Sequence, residues 1–224
     1  PAAVGGPVPE GSPALSEPLG RRRAGALALP LHGARHLGGG KTRFGVWAPA
    51  RSAVDVHIVA PYEKVVPLTK EDGGFFIAVA ENAPPGTRYL VRLDGKAEYP
   101  DPASLSQPTG VFGPSEVLDP AFDWGAHYWL GLPLADYVIY ELHVGTFTKE
   151  GGFDAAARQL TRLKDLGVTA VEVMPVNQFP GARNWGYDGV FPSAAQNTFG
   201  GPDAFRRCGD AALYCDPLDE RTLA

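Results

Sequence analysis

Residues 179–189 read Phe-Pro-Gly-Ala-Arg-Asn-Trp-Gly-Tyr-Asp-Gly, so that Trp185 and Tyr187 stand among Arg183, Asn184 and Asp188. Such a mixture suits sugar rings: an aromatic face covers the C–H surface of the ring, while amide and carboxylate groups exchange hydrogen bonds with its hydroxyls. A turn whose aromatics plug the top of a domain would have the same composition. A second constellation is Glu141 and His143, two positions apart in an apolar run, hence on one face of a strand. Glu172 repeats the pattern in a later run. An unpaired buried charge costs roughly several kcal/mol, so such groups either join a structural network between strands or reach a substrate. On spacing alone the network is the stronger reading. As a metal site the pair lacks a third ligand nearby in sequence.

The elements that must position these residues fall into two regimes. Short β-type runs at residues 43–48, 53–59, 75–79 and 89–93 are separated by Pro and Gly, and Val54, Val56 and Ile58 alternate with Asp55 and His57. This predicts an antiparallel β-sandwich over residues 30–125. After Pro133 the pattern changes. Residues 137–144 (YVIYELHV) form a dense apolar run of the type buried on both faces of a parallel sheet. Phe153, Ala156, Ala157, Leu160, Leu163 and Leu166 then follow helical spacing to a stop at Gly167, and residues 168–174 (VTAVEVM) form a second buried strand. Strand, helix and strand make one βαβ unit within residues 133–212. The loops after its strands share the face where barrel and open-sheet enzymes place their sites.

Residues 1–29 carry repeated Pro and Gly and read as a disordered lead-in. Arg21 to Arg23 before an apolar stretch imitates a signal peptide, but the stretch is short and contains Pro30. The 224 residues hold 20 Lys+Arg against 25 Asp+Glu, which excludes nucleic-acid binding by bulk charge. No apolar run approaches the ~18 residues of a membrane span. Cys208 and Cys215 form neither a zinc pattern nor a disulfide framework, and so few thiols agree with a cytoplasmic location. Trp124 and Trp129 read as packing at the junction of the two regimes, and Trp47 as a core residue of its strand. No residue demands a cofactor or metal.

The stretches FGVWAP (residues 44–49), YELHVGTFTKEGGFDAA (140–156), LGVTAVEVMPV (166–176), FPGARNWGYDGV (179–190) and FGGPDAFRR (199–207) resemble the maltooligosyltrehalose trehalohydrolase branch of the alpha-amylase superfamily, glycoside hydrolase family 13. The resemblance runs from about residue 33 to 212. It implies a multidomain fold, an immunoglobulin-like β-sandwich followed by the first part of a (β/α)8 TIM barrel, here incomplete. It also implies hydrolysis of the α-1,4 bond next to the trehalose end of maltooligosyltrehalose by the two-carboxylate retaining route. Tyr187 would stack on the sugar at the bond that is cut, with Trp185 and Asp188 shaping that pocket. A maltooligosyltrehalose synthase is the partner the resemblance implies.

The family's nucleophile and general acid lie on later strands, and its next landmark ends in a D-x-x-x-N-H pattern. All five histidines, His32, His36, His57, His127 and His143, precede residue 144, so that pattern is absent and residues 213–224 depart from the family. The expectation is a chain without hydrolase activity of its own, with open strand edges that favour aggregation. Two alternatives stand beside it: a non-catalytic α-glucan-binding module, and part of a 1,4-α-glucan branching enzyme.

Overall fold

The computed structural model describes residues 32–125 and 131–214. The predicted lead-in and most of the divergent tail, with His127, Trp129 and Cys215, lie outside the described residues.

Nine short strands follow one another from residue 33: β1 (Gly33–Gly38), β2 (Lys41–Trp47), β3 (Val54–Ala60), β4 (Lys64–Pro67), β5 (Thr69–Lys70), β6 (Phe75–Ala80), β7 (Arg88–Leu93), β8 (Ala97–Tyr99) and β9 (Ser115–Glu116). They pair antiparallel into two sheets, one ordered β1-β2-β6-β5 and the other β4-β3-β7-β8 with β9 also on β7. The alternation read in residues 54–58 is realised: Val54, Val56 and Ile58 are buried and Asp55 and His57 point outward, half-buried. Phe44 of one sheet meets Tyr89 of the other edge to face at 4.8 Å, in a core that also holds Val46, Phe76 and Val91. The Tyr89 hydroxyl donates to buried Asp101 at 2.7 Å, and Asp101 also accepts from the Ala103 amide at 2.9 Å. Burial pushes the Asp101 carboxyl above its ordinary pKa despite these donors.

Trp47 is not a core residue: it is 62% exposed. Phe44 and Val46 take the inward parity of β2, which turns Gly45 and Trp47 to the outer face. Hydrophobicity suggested burial, but strand parity decides the side.

The second regime contains β10 (Ile139–Leu142), α1 (Val144–Phe147), α2 (Phe153–Ala157), α3 (Leu160–Asp165) and β11 (Ala170–Val173). β10 and β11 are parallel with Glu141 opposite Glu172, so the strand, helix and strand order is as predicted. Two details differ. The helical stretch breaks between Ala157 and Leu160, and neither strand is buried on both faces. Leu142 and Val144 enter a cluster with Phe153, Leu160, Leu163, Phe179 and Phe199, which covers one side of the pair. On the other side Ile139 and Glu141 remain exposed, because only two strands pair here and nothing among the described residues lies over them.

A two-stranded antiparallel pair, β12 (Asn177–Gln178) and β13 (Phe191–Ala195), frames the aromatic loop, and α4 (Gly201–Tyr214) closes the described chain. The described residues cluster as one unit. The two regimes are tied by polar contacts: the Asn197 amide donates to the Pro108 carbonyl at 3.2 Å, Arg206 to the Asp119 carbonyl at 2.7 Å, and the Gly125 amide to Asp210 at 2.8 Å. Trp124 packs on Phe122 and against Gly209 of α4, so it sits at the junction, as read from the sequence. No helix among the described residues is long and apolar enough to cross a membrane.

Candidate functional site

The site is built at the end of β10, where the chain turns from strand into α1, and on the loop between β12 and β13. His143, the last residue before α1, lies under that loop. Its Nε2–H donates to the Asn184 carbonyl at 2.7 Å. The direction is fixed because a backbone carbonyl can only accept. In the neutral ring this leaves Nδ1 as an acceptor. The Thr146 hydroxyl donates to it at 3.2 Å. The imidazole is further held edge to face by Trp185 at 5.5 Å and by Phe199 at 5.9 Å. Such T-shaped contacts suit the ring quadrupoles. Three elements thus fix one ring.

The loop has its own frame. Asn184 Oδ1 accepts from the Gly186 amide at 2.7 Å, and Asn184 Nδ2 donates to Asp188 at 3.0 Å. The first of these bonds closes an Asx turn. Gly186 has φ +95°, and a Cβ there would come within 2.0 Å of the Pro175 carbonyl oxygen. Backbone geometry and space therefore both require glycine. Below the loop, buried Gln178 and Gln196 satisfy one another's surroundings: Gln196 accepts from the Phe179 amide at 2.9 Å and Gln178 from the Asn197 amide at 2.9 Å. A rigid base therefore presents Trp185, 66% exposed, and Tyr187, 72% exposed. Their side chains are displayed and do not plug a domain top.

Of the residues proposed from the sequence, the structure joins His143, Trp185 and, through Asn184, Asp188. Tyr187 stands beside them with its ring open. Glu141 lies on the exposed face of β10 opposite Glu172, and neither carboxylate makes a hydrogen bond or ion pair among the described residues. The satisfied inter-strand network predicted for them is absent among the described residues; His143 is held instead by the loop and by α1. Sequence reasoning missed Thr146 and Phe199 as holders of the imidazole. Thr146 was legible as the hydroxyl one helical turn after His143; Phe199 was not, since it arrives from a separate segment. No three His, Cys, Asp or Glu side chains among the described residues converge as metal ligands. Cys208 is a free thiol whose pKa is pushed up by burial.

Residues 30–120 match the family model of carbohydrate-binding module 48, the isoamylase N-terminal domain. The chain is 45% identical over 164 residues to malto-oligosyltrehalose trehalohydrolase of Saccharolobus solfataricus, covering 73% of this chain and 29% of that protein. It is 42% identical over 193 residues to the enzyme of the same name from Deinococcus radiodurans, covering 86% and 30%. A 1,4-alpha-glucan branching enzyme of Xanthomonas campestris is 31% identical over 210 residues, 83% of this chain and 28% of that one. Among solved structures, an alpha amylase candidate from Salmonella typhimurium superposes with a TM-score of 0.77 at 39% identity, covering 82% of this chain and 31% of that one. The chain spans about a third or less of the length of each of these proteins.

A β-sandwich of the carbohydrate-binding module 48 type, followed by a segment shared with glycoside hydrolases of the alpha-amylase family, defines the class. Within it the chain is a relative of the malto-oligosyltrehalose trehalohydrolases.

Proposed function

We propose that this chain supplies the sugar-binding opening of a hydrolase that cuts the α-1,4 bond next to the trehalose end of maltooligosyltrehalose and releases trehalose. The observation that carries this reading is Tyr187 displayed beside Trp185 on a loop locked to His143. Tyr187 stacks on the ring at the cut bond, Trp185 and Asp188 wall the pocket, and Glu141 lines the barrel interior beside His143. β10 and β11 are the first two strands of a (β/α)8 barrel, with residues 133–212 as its opening and residues 30–125 as the sandwich module. The reaction follows the retaining route, one carboxylate as nucleophile and a second as acid and then base. Glu141 and Glu172 are both solvent-exposed. The chain by itself binds without cutting. In the cell the enzyme works in the cytoplasm, beside a synthase that makes its substrate.

Maltoheptaose titrated into the 224-residue chain tests this. Saturable binding, weakened roughly tenfold in Tyr187→Ala, is the expected result. Unchanged affinity in that variant overturns the assigned pocket. Trehalose released in a saturable manner by the chain alone overturns the binding-only claim, and new α-1,6 branches point to the branching enzyme.

A further inference from the structure

The turn at residues 107–113, between β8 and β9, reaches from the sandwich to the strands that carry the aromatic loop. Ser115 of β9 accepts from the Asp101 amide at 2.9 Å. Its one proton goes to the Gln107 side-chain oxygen at 2.7 Å, which leaves the Gln107 NH2 group to donate to the Gly110 and Gly113 carbonyls at 3.3 and 3.2 Å. Backbone bonds from Gly110 to Gln107 and from Gly113 to Gly110, both 3.2 Å, close the turn. Gln107 and Ser115 are both buried, and Asp101 in turn accepts from Tyr89 of the sandwich core. The turn is therefore fastened to the sandwich from within.

It touches the second regime twice. Val111 packs on Phe191 and Ala194 of β13, and the Pro108 carbonyl accepts from Asn197 Nδ2 at 3.2 Å. The remaining groups of Asn197 turn to the frame of the loop. Its Oδ1 accepts from Gln178 Nε2 at 3.1 Å, and its backbone amide donates to Gln178 Oε1 at 2.9 Å. Gln178 Nε2 also donates to the Phe179 carbonyl at 3.1 Å, where the aromatic loop begins. Asn197 further opens the short turn Asn197–Phe199, whose Phe199 ring packs on Phe179 and on the His143 imidazole. One side chain thus joins the sandwich turn to both supports of the displayed aromatics. Gln178 is fully buried, where an unsatisfied amide is costly, so a lost bond is recovered by movement of its neighbours.

We propose that Asn197 is a positioning residue, the joint through which the sandwich turn sets the pose of Trp185 and Tyr187. Its effect on sugar affinity rests on the glucan pocket of the preceding reading, whereas the coupling itself is present without ligand. A change at Gln107 moves the Pro108 carbonyl, Asn197 follows it, and Gln178 passes the displacement to Phe179 and the loop.

The test labels the four tryptophans with 5-fluorotryptophan in the full 224-residue chain and assigns the 19F lines by single Trp→Phe changes. Gln107→Met, on the sandwich side, is expected to move the Trp185 line of the ligand-free chain and to weaken maltoheptaose binding about threefold, within the range of couplings carried between sites. Asn197→Ala is expected to show both effects by itself, and adding Gln107→Met to it changes neither further. A Trp185 line that Gln107→Met leaves in place overturns the proposal. So does a Gln107→Met shift that persists in full on the Asn197→Ala background, because it would then travel through Val111. Should either variant fail to fold by circular dichroism, Ser115→Ala perturbs the same turn, and Asn197→Asp keeps the acceptor for Gln178 while losing the donor to Pro108. If the Trp185 line responds as expected but Tyr187→Ala leaves maltoheptaose affinity unchanged, the positioning role stands and the glucan pocket falls. If Tyr187→Ala weakens binding while the line never responds, the pocket stands and the positioning role falls.

Discussion

The sandwich and the β10–β11 unit have similar apolar density in sequence and opposite fates in structure. In the sandwich the apolar residues of one sheet find those of the other: Val54, Val56, Ile58, Phe44 and Tyr89 are all at 1% exposure or less. In the strand pair, Ile139 on the open face is 59% exposed, while Leu142 and Val144, on the helix side, are buried. An apolar run states that a face requires cover. It does not state where that cover comes from. The sandwich is self-sufficient because both of its layers lie within roughly ninety residues, about the size of an immunoglobulin-like domain. A two-stranded parallel pair has one helical layer and an open second face, in an architecture that elsewhere is covered on both.

The largest effect expected from this contrast is in core truncation. Phe44→Ala should cost about 3–5 kcal/mol, the range for removing a buried phenyl ring, whereas Ile139→Ala should change stability by no more than about 0.5 kcal/mol. Urea unfolding of the two variants measures both. An equal cost at the two sites would break the comparison, because it would mean that β10 is covered in solution.

A smaller effect sharpens it with pH. Tyr89 donates to buried Asp101, whose carboxyl is held above 3.8 by desolvation. A raised carboxyl pKa means that the folded state prefers the protonated form. The associated stability is complete below the ordinary value and is lost as pH rises through the raised one. Tyr89→Phe removes a donor to the carboxylate, so its cost should be greatest on the alkaline side of the Asp101 titration, about 2 kcal/mol, and less on its acid side. Tyr140→Phe, on exposed β10, should show no such pH dependence. Urea midpoints across the acid range compare the two, and parallel curves would remove the assigned role of Asp101.

The same contrast explains which parts were legible beforehand. The four sandwich strands read from alternation are β2, β3, β6 and β7, the long central ones whose pattern is set by burial. β1, β4, β5, β8 and β9 lie at edges or are only a few residues long, so little periodicity accumulates in them. Trp47 was misjudged because its hydrophobicity argued for the core and its parity, two from Gly45 and opposite to Val46, argued for the surface. The strand, helix and strand order around β10 and β11 was legible, but their exposure was not, since exposure depends on neighbours that no local window contains. At the site, Trp185, Tyr187, Asp188 and His143 were legible by chemistry. Their joining was not, because it runs through the Asn184 carbonyl, a backbone atom that any residue would supply, and through Phe199 from a separate segment.

The smallest effect lies in how the less covered region is held together. Asp154 at the start of α2 receives both arms of the Arg207 guanidinium, at 3.0 and 2.8 Å, which ties α2 to α4. That hydrogen-bonded arginine holds the Asp154 carboxyl below its ordinary pKa, with burial opposing weakly. Because the folded value is depressed, the contribution of the pair is present above pH 3.8 and fades as pH falls through the lowered value. Both side chains are about half exposed. Solvent screening therefore confines the pair to below about 1 kcal/mol despite its two-armed geometry. Arg207→Ala should lower stability by about 0.5 kcal/mol at neutral pH, and by less both in acid and in about 1 M salt, where charges are screened within ~3 Å. A double-mutant cycle with Asp154→Ala isolates the coupling. A coupling that survives high salt unchanged would mean that the α2–α4 contact is held by packing of Phe153 and Ala204 and that the ion pair adds nothing to it.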